Sequence, residues 1–415
     1  MNNSSHQQSL AVIGGGAAGF FAAVNAARRY PRLNVTIFEK SREVLSKVRV
    51  SGGGRCNVTH HCFDPEVLSQ SYPRGAKELR WAFEQFQAKD TVTWFENRGI
   101  DLKTESDGRM FPTTDDSATI INCLKREATQ HDVTIHTKNR VEAIKQVKQE
   151  SSKYELHVRG QANQLFDAVI VATGGSNRRS TYEWLTELGH SITDPVPSLF
   201  TFNFREKVFK DLAGISVENG SVSIEGTSYR HTGPLLITHW GLSGPAVLKT
   251  SAWAARYLYK NEYRFTIRVN WVHPRNEQEV RNTLEELRHE NAAKNADKQN
   301  RFPLPNRLWK RLLKLTDIAP DTRWAELSNQ HLHELAQTLT GASYEIQGKT
   351  TYKDEFVTSG GIPLNEVNMG TMESKKCPNL YFAGEVLNID GITGGFNFQS
   401  AWTTGWIAAQ HLDTG

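Results

Sequence analysis

Cysteine is scarce in this chain: four residues in 415, namely Cys56, Cys62, Cys123 and Cys377. A disulfide-stabilised scaffold needs more cysteines in a shorter chain, so that class of protein is excluded. The segment Met1–Ser9 also lacks the basic and apolar regions of a secretory signal. Both observations favour a reducing compartment, and we expect a cytoplasmic protein.

Long apolar runs and a strong net charge are lacking too. One uncharged stretch, Leu10–Ala27, approaches the length of a membrane span, but it contains Gly14, Gly15 and Gly16. A strand, a glycine turn and a buried helix explain it better. The formal net charge of +4 is small for 415 residues and gives no indication of nucleic-acid binding. We therefore expect a soluble globular protein of roughly two to three domains, with neither a membrane nor a nucleic acid as partner.

The order of the patterned segments indicates an α/β fold with an insertion. Near Pro195–Pro197 the pattern changes to short alternating β-strands followed by helices, and the first pattern returns at Leu380–Ala383. We predict a Rossmann-like nucleotide-binding domain over residues 1–195 and 343–415, interrupted by an inserted domain over residues 196–342. The chain opens with a strand–helix–strand unit: Ser9–Ile13, Ala17–Arg29 and Asn34–Phe38.

Residue patterns also predict one helix cap, one hairpin and two further helices. Ser117 is the expected N-cap of the helix Ser117–Gln130. Two hairpin strands are predicted on either side of the polar tip Gln149–Lys153. The basic amphipathic helix Asn306–Leu315 could contact RNA or a membrane surface, but burial of Leu308, Leu312 and Leu315 explains it better. The last helix is expected from about Gln399 to His411.

A dinucleotide fingerprint lies between the first strand and the first helix. Gly14 permits a tight turn, Gly16 lets the backbone approach a pyrophosphate, and Gly19 allows the helix to pack against the sheet. The helix N-terminus offers N–H groups to the diphosphate. Glu39 follows at the end of the second strand, where a carboxylate binds ribose hydroxyls and repels a 2′-phosphate. A glycine-rich turn without function is the less favoured alternative.

Later glycine-rich strand ends favour FAD over NAD. The segment 172–175 ends a buried strand, and Ala383-Gly384-Glu385 ends another, followed by Gly391, Gly394 and Gly395. FAD is long and needs contacts from distant parts of the chain. Glu385 is suited to the ribityl hydroxyls, and the helix near Phe398 can direct N–H groups at the flavin ring. A plain NAD-dependent dehydrogenase leaves the C-terminal segment without a role.

Three consecutive glycines occur in the segment Ser51–Asn57, whose sequence is SGGGRCN. Such a loop lets backbone lie against a flat or anionic ligand. Arg55 and Lys47 could offset diphosphate charge. A flexible loop without function is a nearly equal reading from these residues alone.

Cys56 and Cys62 resemble a redox pair, but five residues separate them, whereas flavin disulfide reductases have four. Cys56 is therefore expected to be a loop residue near the cofactor. His60 and His61 lie close to both cysteines, yet no second ligand cluster occurs at zinc-finger spacing. We predict no metal site.

Taken together, four segments resemble a known family: SGGGRCN, ATGG at 172–175, THWGLSGPA at 238–246 and AGEVLNIDGITGGFNFQSAWTTG at 383–405. The resemblance is to bacterial NAD(P)/FAD-dependent oxidoreductases grouped with aminoacetone oxidase and the bile-acid dehydro-reductase, and it covers Leu10–His411. It implies a two-dinucleotide-binding-type FAD domain with an inserted small β-barrel and helices. Asn388 departs from the family pattern, which has an acid there, as does LSKVRV before SGGGRCN.

The fingerprint and the resemblance together assign the FAD contacts. The expected cofactor-binding residues are Gly14, Gly16, Ala18, Gly19, Glu39, Lys40, Lys47, Ser51, Gly52, Gly53, Arg55, Cys56, Asn57, Val141, Ala172, Thr173, Gly174, Gly384, Glu385, Asp390, Gly395, Phe396, Asn397 and Phe398.

Three residues are catalytic candidates. His239 could donate a proton beside the flavin, since the resemblance places its motif in the inserted domain facing the cofactor. A strand-to-helix turn is the plainer explanation. Asn397 could hydrogen-bond the ring. Arg109 could bind an acidic substrate group, although such an arginine is more often a hairpin-tip surface residue.

Our first hypothesis is an FAD-dependent oxidoreductase acting on a small molecule by hydride transfer through flavin N5. No second complete fingerprint for NAD(P)H occurs, but a nicotinamide can bind transiently at the flavin face. Without it, the enzyme would be an oxidase that passes electrons to oxygen. The second hypothesis is a flavin-containing RNA-binding or tRNA-modification-related protein, by analogy of fold.

Overall fold

The computed structural model describes residues 7–147, 153–350 and 357–413. The chain divides into two compact units: unit 1 is Met1–Ser198 with Lys353–Gly415, and unit 2 is Leu199–Tyr352. The second boundary falls about ten residues later than the expected 342, because Ala342–Thr350 forms a strand that pairs within unit 2. Each unit has its own hydrophobic core.

Unit 1 begins with eleven strands and seven α-helices among its described residues up to 198. The strands are β1 (Ser9–Ile13), β2 (Asn34–Phe38), β3 (Thr59–His60), β4 (Leu102–Thr104), β5 (Arg109–Pro112), β6 (Thr134–His136), β7 (Val141–Val147), β8 (Lys153–Val158), β9 (Gln164–Phe166), β10 (Ala168–Val171) and β11 (Thr193–Ser198). The helices are α1 (Ala17–Arg29), α2 (Ser46–Val50), α3 (Pro65–Ser69), α4 (Ala76–Phe83), α5 (Ala88–Glu96), α6 (Ser117–Gln130) and α7 (Glu183–Glu187).

Unit 2 is a closed six-stranded barrel with helices. Its strands are β12 (Thr201–Phe204), β13 (Ser216–Ile224), β14 (Arg230–Ile237), β15 (Gly241–Ser243), β16 (Arg264–Asn270) and β17 (Ala342–Thr350), and they close in the order β12-β15-β14-β13-β16-β17. Its helices are α8 (Pro245–Lys260), α9 (Glu277–Glu290), α10 (Asn306–Leu315) and α11 (Asn329–Gly341). Closure removes the exposed sheet edges that would otherwise pair with other chains.

The chain then returns to unit 1 and completes its main sheet. The last elements are β18 (Val357–Gly361), β19 (Val367–Asn368), β20 (Glu373–Ser374), β21 (Leu380–Phe382) and α12 (Phe396–Gln410). The sheet has the order β19-β20-β21-β10-β1-β2-β6, and the strands from β21 to β6 pair in parallel. The predicted α/β fold class, a Rossmann-type FAD domain with an inserted β-barrel and helices, is confirmed.

The central strands are buried because helices cover the sheet. All four residues of β10 are buried, and Leu10, Ala11 and Val12 of β1 are fully inaccessible. Such continuous apolar runs are typical of parallel strands covered on both faces. The carboxyl ends of these strands meet at one edge, where α/β folds bind ligands. Within the described ranges, no helix combines the length and apolar composition needed to cross a membrane.

Some local predictions need correction. The N-cap of α6 is Asp116, not Ser117, since the Asp116 carboxylate accepts the Ala118 N–H. The hydroxyl of Ser117 instead binds the carbonyl of Arg49. Helix α10 buries Leu308 and Leu312 as expected, but Leu315 is 43% exposed. The predicted hairpin is present as β7 and β8, while residues 149–152 of its tip lie outside the described residues.

Candidate cofactor-binding site

The turn after β1 leaves open space above the first helix. Gly14 has φ +113°, and a Cβ there would lie 2.2 Å from the carbonyl oxygen of Ala172. A Cβ on Gly19 would lie 1.9 Å from the carbonyl oxygen of Gly14, so the helix packs directly on the turn. A Cβ on Gly16 would meet nothing within 4 Å. Gly16 is the N-cap of α1 and has no side chain to accept a hydrogen bond from the helix. The first N–H groups of α1 therefore remain open, which suits binding of a diphosphate.

Glu39 lines a cavity beside this turn and holds the backbone around it. Its carboxylate accepts the N–H groups of Gly15 at 2.8 Å and Ser41 at 2.7 Å. The cavity has a volume of about 300 Å³ and lies at the ends of β1, β2 and β10. Its lining includes the expected contacts Gly14, Glu39, Lys40, Val141, Thr173 and Gly174. This is the position in which an adenosine would follow a diphosphate held at α1.

The segment Ser51–Asn57 forms a tight left-handed turn. Gly52, Gly53 and Gly54 have φ of +59°, +70° and +88°, a conformation that side chains strongly disfavour. Nothing lies within 4 Å of a Cβ on Gly53 or Gly54. Backbone without side chains therefore faces open space here, which suits contact with a flat ligand. Asn57 ends the segment and, with its amide oriented to suit both neighbours, donates to the Thr59 carbonyl and accepts the Gly395 N–H, each at 3.0 Å.

Cys56 is fully buried in this segment. Burial raises the pKa of its thiol to about 12, so the thiolate needed for disulfide chemistry is not populated near neutral pH. All four cysteines are free thiols. Across the described ranges, no group of three or more His, Cys, Asp or Glu side chains is placed to hold a metal ion.

Glu385 organises the C-terminal part of the site. Its carboxylate accepts the backbone N–H of Thr358 at 2.7 Å and lies 2.8 Å from the Lys47 ammonium. The adjacent glycine, Gly384, has φ +73°, and a Cβ there would lie 2.7 Å from the Cβ of Ala18. The small residues Gly384 and Ala18 thus let the end of β21 pack against α1. The Glu385–Lys47 ion pair lies next to this contact.

Buried polar atoms near Glu385 are left over for a ligand. The hydroxyls of Thr358 and Ser359 and the amide oxygen of Asn388 are buried, and no hydrogen bond from the described part of the chain satisfies them. Unpaired buried polar atoms are costly, so native proteins supply a partner. Ile362, which directly follows β18, donates its N–H to the Val386 carbonyl and accepts the Asn388 N–H, each at 2.9 Å. A ligand rich in hydroxyl and carbonyl groups, such as the ribityl and ring portions of FAD, fits this set.

The last helix begins at Phe396, earlier than the expected start near Gln399. Gly395, in a left-handed conformation with φ +93°, caps it without a side-chain hydrogen bond, so its first N–H groups are open. Asn397 binds the N–H and carbonyl of Gly391 at 2.9 and 3.0 Å. Its amide therefore holds the preceding loop, and the ring contact expected of it would need that pairing to break. Phe396 stacks on His60 at 4.6 Å, and the ring of Phe398 stacks on Trp402 at 5.7 Å.

Asp390 holds the same loop, which precedes α12, through its side chain. It is fully buried and its carboxylate binds Arg74 and, at 2.8 Å, the Ser198 hydroxyl. Burial raises the pKa of Asp390, and the Arg74 guanidinium opposes that rise. Because this carboxylate is fully inaccessible and bonded to Arg74 and Ser198, Asp390 positions the loop.

The two arginines proposed for anion binding are committed to carboxylates. Arg55 lies 2.6 Å from Glu105 and packs 4.0 Å above the ring of Phe111. Arg109 binds Glu105 and Asp107, both at 2.7 Å. A role for Arg55 at the diphosphate, or for Arg109 at a substrate acid, would require these pairs to open.

His239 lies in unit 2, in the turn between β14 and β15, where it is exposed. The turn is closed by the Thr238 hydroxyl, which accepts the N–H groups of Trp240 and Gly241. His239 therefore lies in a turn that connects two strands, close to the turn that the sequence offered as the alternative to a catalytic role. A proton-donor role for His239 stays a proposal.

Residue patterns missed Arg74, Ser198, Thr358 and Ser359. The sequence Thr358-Ser359-Gly360-Gly361 repeats the combination of small polar residues and paired glycines seen at Ser51–Gly53, and that similarity was a usable signal. Arg74 has no motif around it. Only the fold brings it to Asp390, 316 residues away.

The glycine turn on a parallel sheet, the cavity at the strand ends and the orphaned polar atoms form a Rossmann-type dinucleotide site of the kind that FAD-dependent oxidoreductases use. Residues 8–411 match the family described as HI0933-like protein Rossmann domain, and the chain belongs to that family. The resemblance found in the sequence is thereby confirmed.

Curated relatives align with nearly the whole chain, and a solved structure shares its fold. The chain is 28% identical to a 3-dehydro-bile acid delta(4,6)-reductase of Clostridium scindens, covering 97% of this chain and 98% of the relative. It is 30% identical to a ribosomal RNA dihydrouridine synthase of Escherichia coli, covering 97% of both. The 3-ketosteroid delta1-dehydrogenase of Sterolibacterium denitrificans has a TM-score of 0.52 at 12% identity, covering 97% of this chain and 99% of that one, and shows the shared fold.

Proposed function

We propose that this chain is an NAD(P)H-driven reductase that saturates a carbon–carbon double bond conjugated to a carbonyl group in a small cyclic molecule. The observation that carries the proposal is the chemistry shared by two nearly full-length relatives. A delta(4,6)-reductase of a 3-dehydro-bile acid and a dihydrouridine synthase both saturate a ring double bond that is conjugated to a carbonyl. Because both alignments span 97% of this chain, they include unit 2 as well as unit 1.

The residues of unit 1 would hold the cofactor. FAD, when bound, supplies the two-electron chemistry that links a nicotinamide to the substrate. The open N-terminus of α1 at Gly16 binds the diphosphate, Glu39 binds the adenosine ribose, and Glu385 binds the ribityl chain. The open N–H groups of α12 after Gly395 would face the flavin ring and favour negative charge there. None of these roles requires a side chain to be a nucleophile.

Saturating the double bond consumes two electrons and two protons. NAD(P)H supplies the two electrons and one proton, and the second proton must come from an acid near the substrate. His239 is the candidate we propose for that acid, since an imidazole exchanges protons near neutral pH.

The first test is an anaerobic titration of the holoprotein with NADH and NADPH while the flavin absorption bands are followed. Bleaching by either nicotinamide, and recovery on adding a conjugated cyclic enone but not the matching saturated ketone, is the expected result. Flavin bands that stay unchanged with both nicotinamides would contradict the proposal. They would direct attention to an oxidase that takes electrons from amines or alcohols.

A second candidate substrate is a uracil ring within RNA. It is favoured by the 30% identity to a ribosomal RNA dihydrouridine synthase and by the charge of unit 2, which carries 21 Lys and Arg against 16 Asp and Glu. RNA incubated with holoprotein and NADPH would gain dihydrouridine, detected by mass spectrometry of its nucleosides. Reduction of the enone with no change in the RNA would leave only the first candidate.

A further inference from the structure

Unit 2 contains a pocket that the cofactor-binding residues do not use. Its volume is about 530 Å³, and it is lined by residues of β14 and β16, the loop after β16, and α11. All of its lining residues belong to unit 2, whereas the cofactor-binding residues described above belong to unit 1. The cationic lining residues are Arg230, Arg268 and Arg275, with His273 beside them.

The strand register places two of these arginines in one row. Ser223 of β13 pairs with Arg230 of β14 on one side and with Arg268 of β16 on the other. Residues in one row across neighbouring strands point to the same face of a sheet, and two strand spacings separate these two by roughly 10 Å. Both guanidinium groups therefore project from the same face of the barrel wall.

The third arginine is set by the loop that follows β16. Asn270, which is buried, donates to the carbonyl of Arg275 and accepts the N–H of Val272, each at 2.9 Å. The Arg275 side chain donates to the Thr283 hydroxyl at 3.2 Å and packs 5.5 Å from the ring of Phe302. The loop is thus held by its own hydrogen bonds, and the pocket is shaped before any ligand arrives.

Carboxylates do not balance this cluster. Arg230 donates to the Ser221 hydroxyl, and the Arg268 Nε lies 3.7 Å from Glu225, a distance that makes a weak ion pair. Glu277 is the acid in the lining, and it lies 3.3 Å from a nitrogen of His333. Three arginines line this pocket, and the ion pair of Arg268 with Glu225 is the one that the described residues form with them, so the lining favours an anion with several oxygens. Phosphate is the group that the planar guanidinium fork binds best.

The residues on either side of Arg230 carry aromatic partners. Tyr229 packs against Tyr257 at 6.1 Å, and His231 stacks on Trp253 at 6.3 Å. Trp253 and Tyr257 on α8 remain 36% and 37% exposed. Because successive residues of a strand point to opposite faces, these rings lie on the other face of β14 from the Arg230 side chain. Arg230 is the first residue of β14, so a single strand of RNA whose backbone contacts the arginines would pass the start of β14 to stack its bases on the rings.

We propose that this arginine pocket of unit 2 binds phosphodiester groups of single-stranded RNA. The inference rests on the RNA substrate given above as the second candidate function, and it adds the surface by which that substrate is held. It is independent of turnover, because binding through backbone phosphates needs neither a nicotinamide nor a reducible base.

The test compares two triple variants of the holoprotein that lose the same charge. R230Q/R268Q/R275Q removes the pocket arginines. R205Q/R281Q/R301Q removes arginines of unit 2 that lie beside Glu345, Glu285 and Glu286 respectively. Binding of a labelled uridine-rich single-stranded RNA is measured by fluorescence anisotropy over a range of salt concentrations. FAD content and unfolding temperature report folding, and the Kd for NADPH is measured on the same samples.

We expect the pocket variant to lose at least about tenfold in RNA affinity, and the slope of log K against log salt to fall by about 2, as for three lost phosphate contacts on a single strand. The control variant should bind as the parent does. Equal RNA binding by the pocket variant, or an equal loss in the control, would overturn the inference. So would a raised Kd for NADPH with unchanged RNA binding, which would identify a dinucleotide site. Enone reduction without any RNA binding would leave the reductase proposal intact and remove this one.

Discussion

The Lys47 ammonium lies 2.8 Å from the Glu385 carboxylate, although 338 residues separate the two in the sequence. The pair joins the segment before the three glycines to the segment after β21. It is half exposed on the lysine side, where the side chain is 46% accessible, so its own contribution to stability is small. Its placement is more informative, since Glu385 also lies beside the orphaned polar atoms of β18 and Asn388.

Replacing Glu385 by Gln should therefore weaken FAD binding more than it weakens the fold. We expect the Kd for FAD to rise about tenfold or more, because a charge-assisted hydrogen bond to the ribityl chain is lost. The measurement is flavin fluorescence during titration of the deflavinated protein. E84Q, at the exposed C-cap of α4, is the matched control. An unchanged Kd in E385Q would remove Glu385 from the cofactor contacts.

Gly16 and Gly19 should respond differently to the same added methyl group. G16A meets open space at a permitted φ of −89°, so its unfolding free energy should stay within about 1 kcal/mol of the parent. Its FAD affinity should fall at least about tenfold, because the methyl group occupies the position of the diphosphate. G19A should lose about 1–3 kcal/mol of stability, since its Cβ would lie 1.9 Å from a carbonyl oxygen.

Chemical denaturation of both apoproteins, followed by FAD titration, separates these two effects. A G16A protein that binds FAD normally would show that the diphosphate does not lie over this turn. A stable G19A protein would show that the turn can move away from α1.

Cys56 should take no part in electron transfer. Its thiol pKa of about 12 leaves almost no thiolate near neutral pH, whereas Cys62 is partly exposed. Iodoacetamide should therefore alkylate Cys62 well before Cys56, as read by peptide mass spectrometry. C56S should be reduced by NAD(P)H at a rate within a few fold of the parent. A variant that binds FAD but cannot be reduced would restore a redox role for this cysteine.

Acid should destabilise unit 1 through Glu366 and its partners. The carboxylate accepts bonds from His190, Ser191 and Lys376, and these hydrogen bonds lower its pKa to about 2 against the burial that would raise it. A depressed carboxyl pKa stabilises the fold above about pH 4.5, and that stability disappears as pH falls from 4.5 towards 2. The loss should reach up to about 3 kcal/mol.

His190 adds a second acid-sensitive step at higher pH. Burial lowers its pKa below the usual 6.5, so the unfolded chain takes up a proton first. Its contribution is complete above pH 6.5 and declines as pH falls below that value. Urea denaturation from pH 7 to 3 tests both steps, and E366Q should flatten the lower one. A parent protein whose stability is constant from pH 4.5 to 3 would contradict the assignment to Glu366.

The sequence alone determined the dinucleotide-binding turn, because a glycine fingerprint works through local backbone geometry. Gly14, Gly16 and Gly19 act within one turn and one helix, and Glu39 follows at the end of the next strand. Burial of β1 and β10 on both faces likewise follows from their unbroken apolar composition. The same reasoning indicated that an insertion of β-strands and helices is present, since a change from helical to alternating periodicity can be seen residue by residue.

Only the tertiary structure decided which side chains remain available. Asn397, Arg55 and Asp390 were all chosen for their chemistry, yet each is bound to another part of unit 1: Gly391, Glu105 and Arg74. Asn397 pairs with a residue only six positions away, but the partners of Arg55 and Asp390 are 50 and 316 residues away, and such pairings depend on how the sheet and loops close. The arginine row on the barrel also depends on strand register. Pairing fixes Arg230 and Arg268 on one face, and neither residue lies in a motif that a sequence pattern could detect.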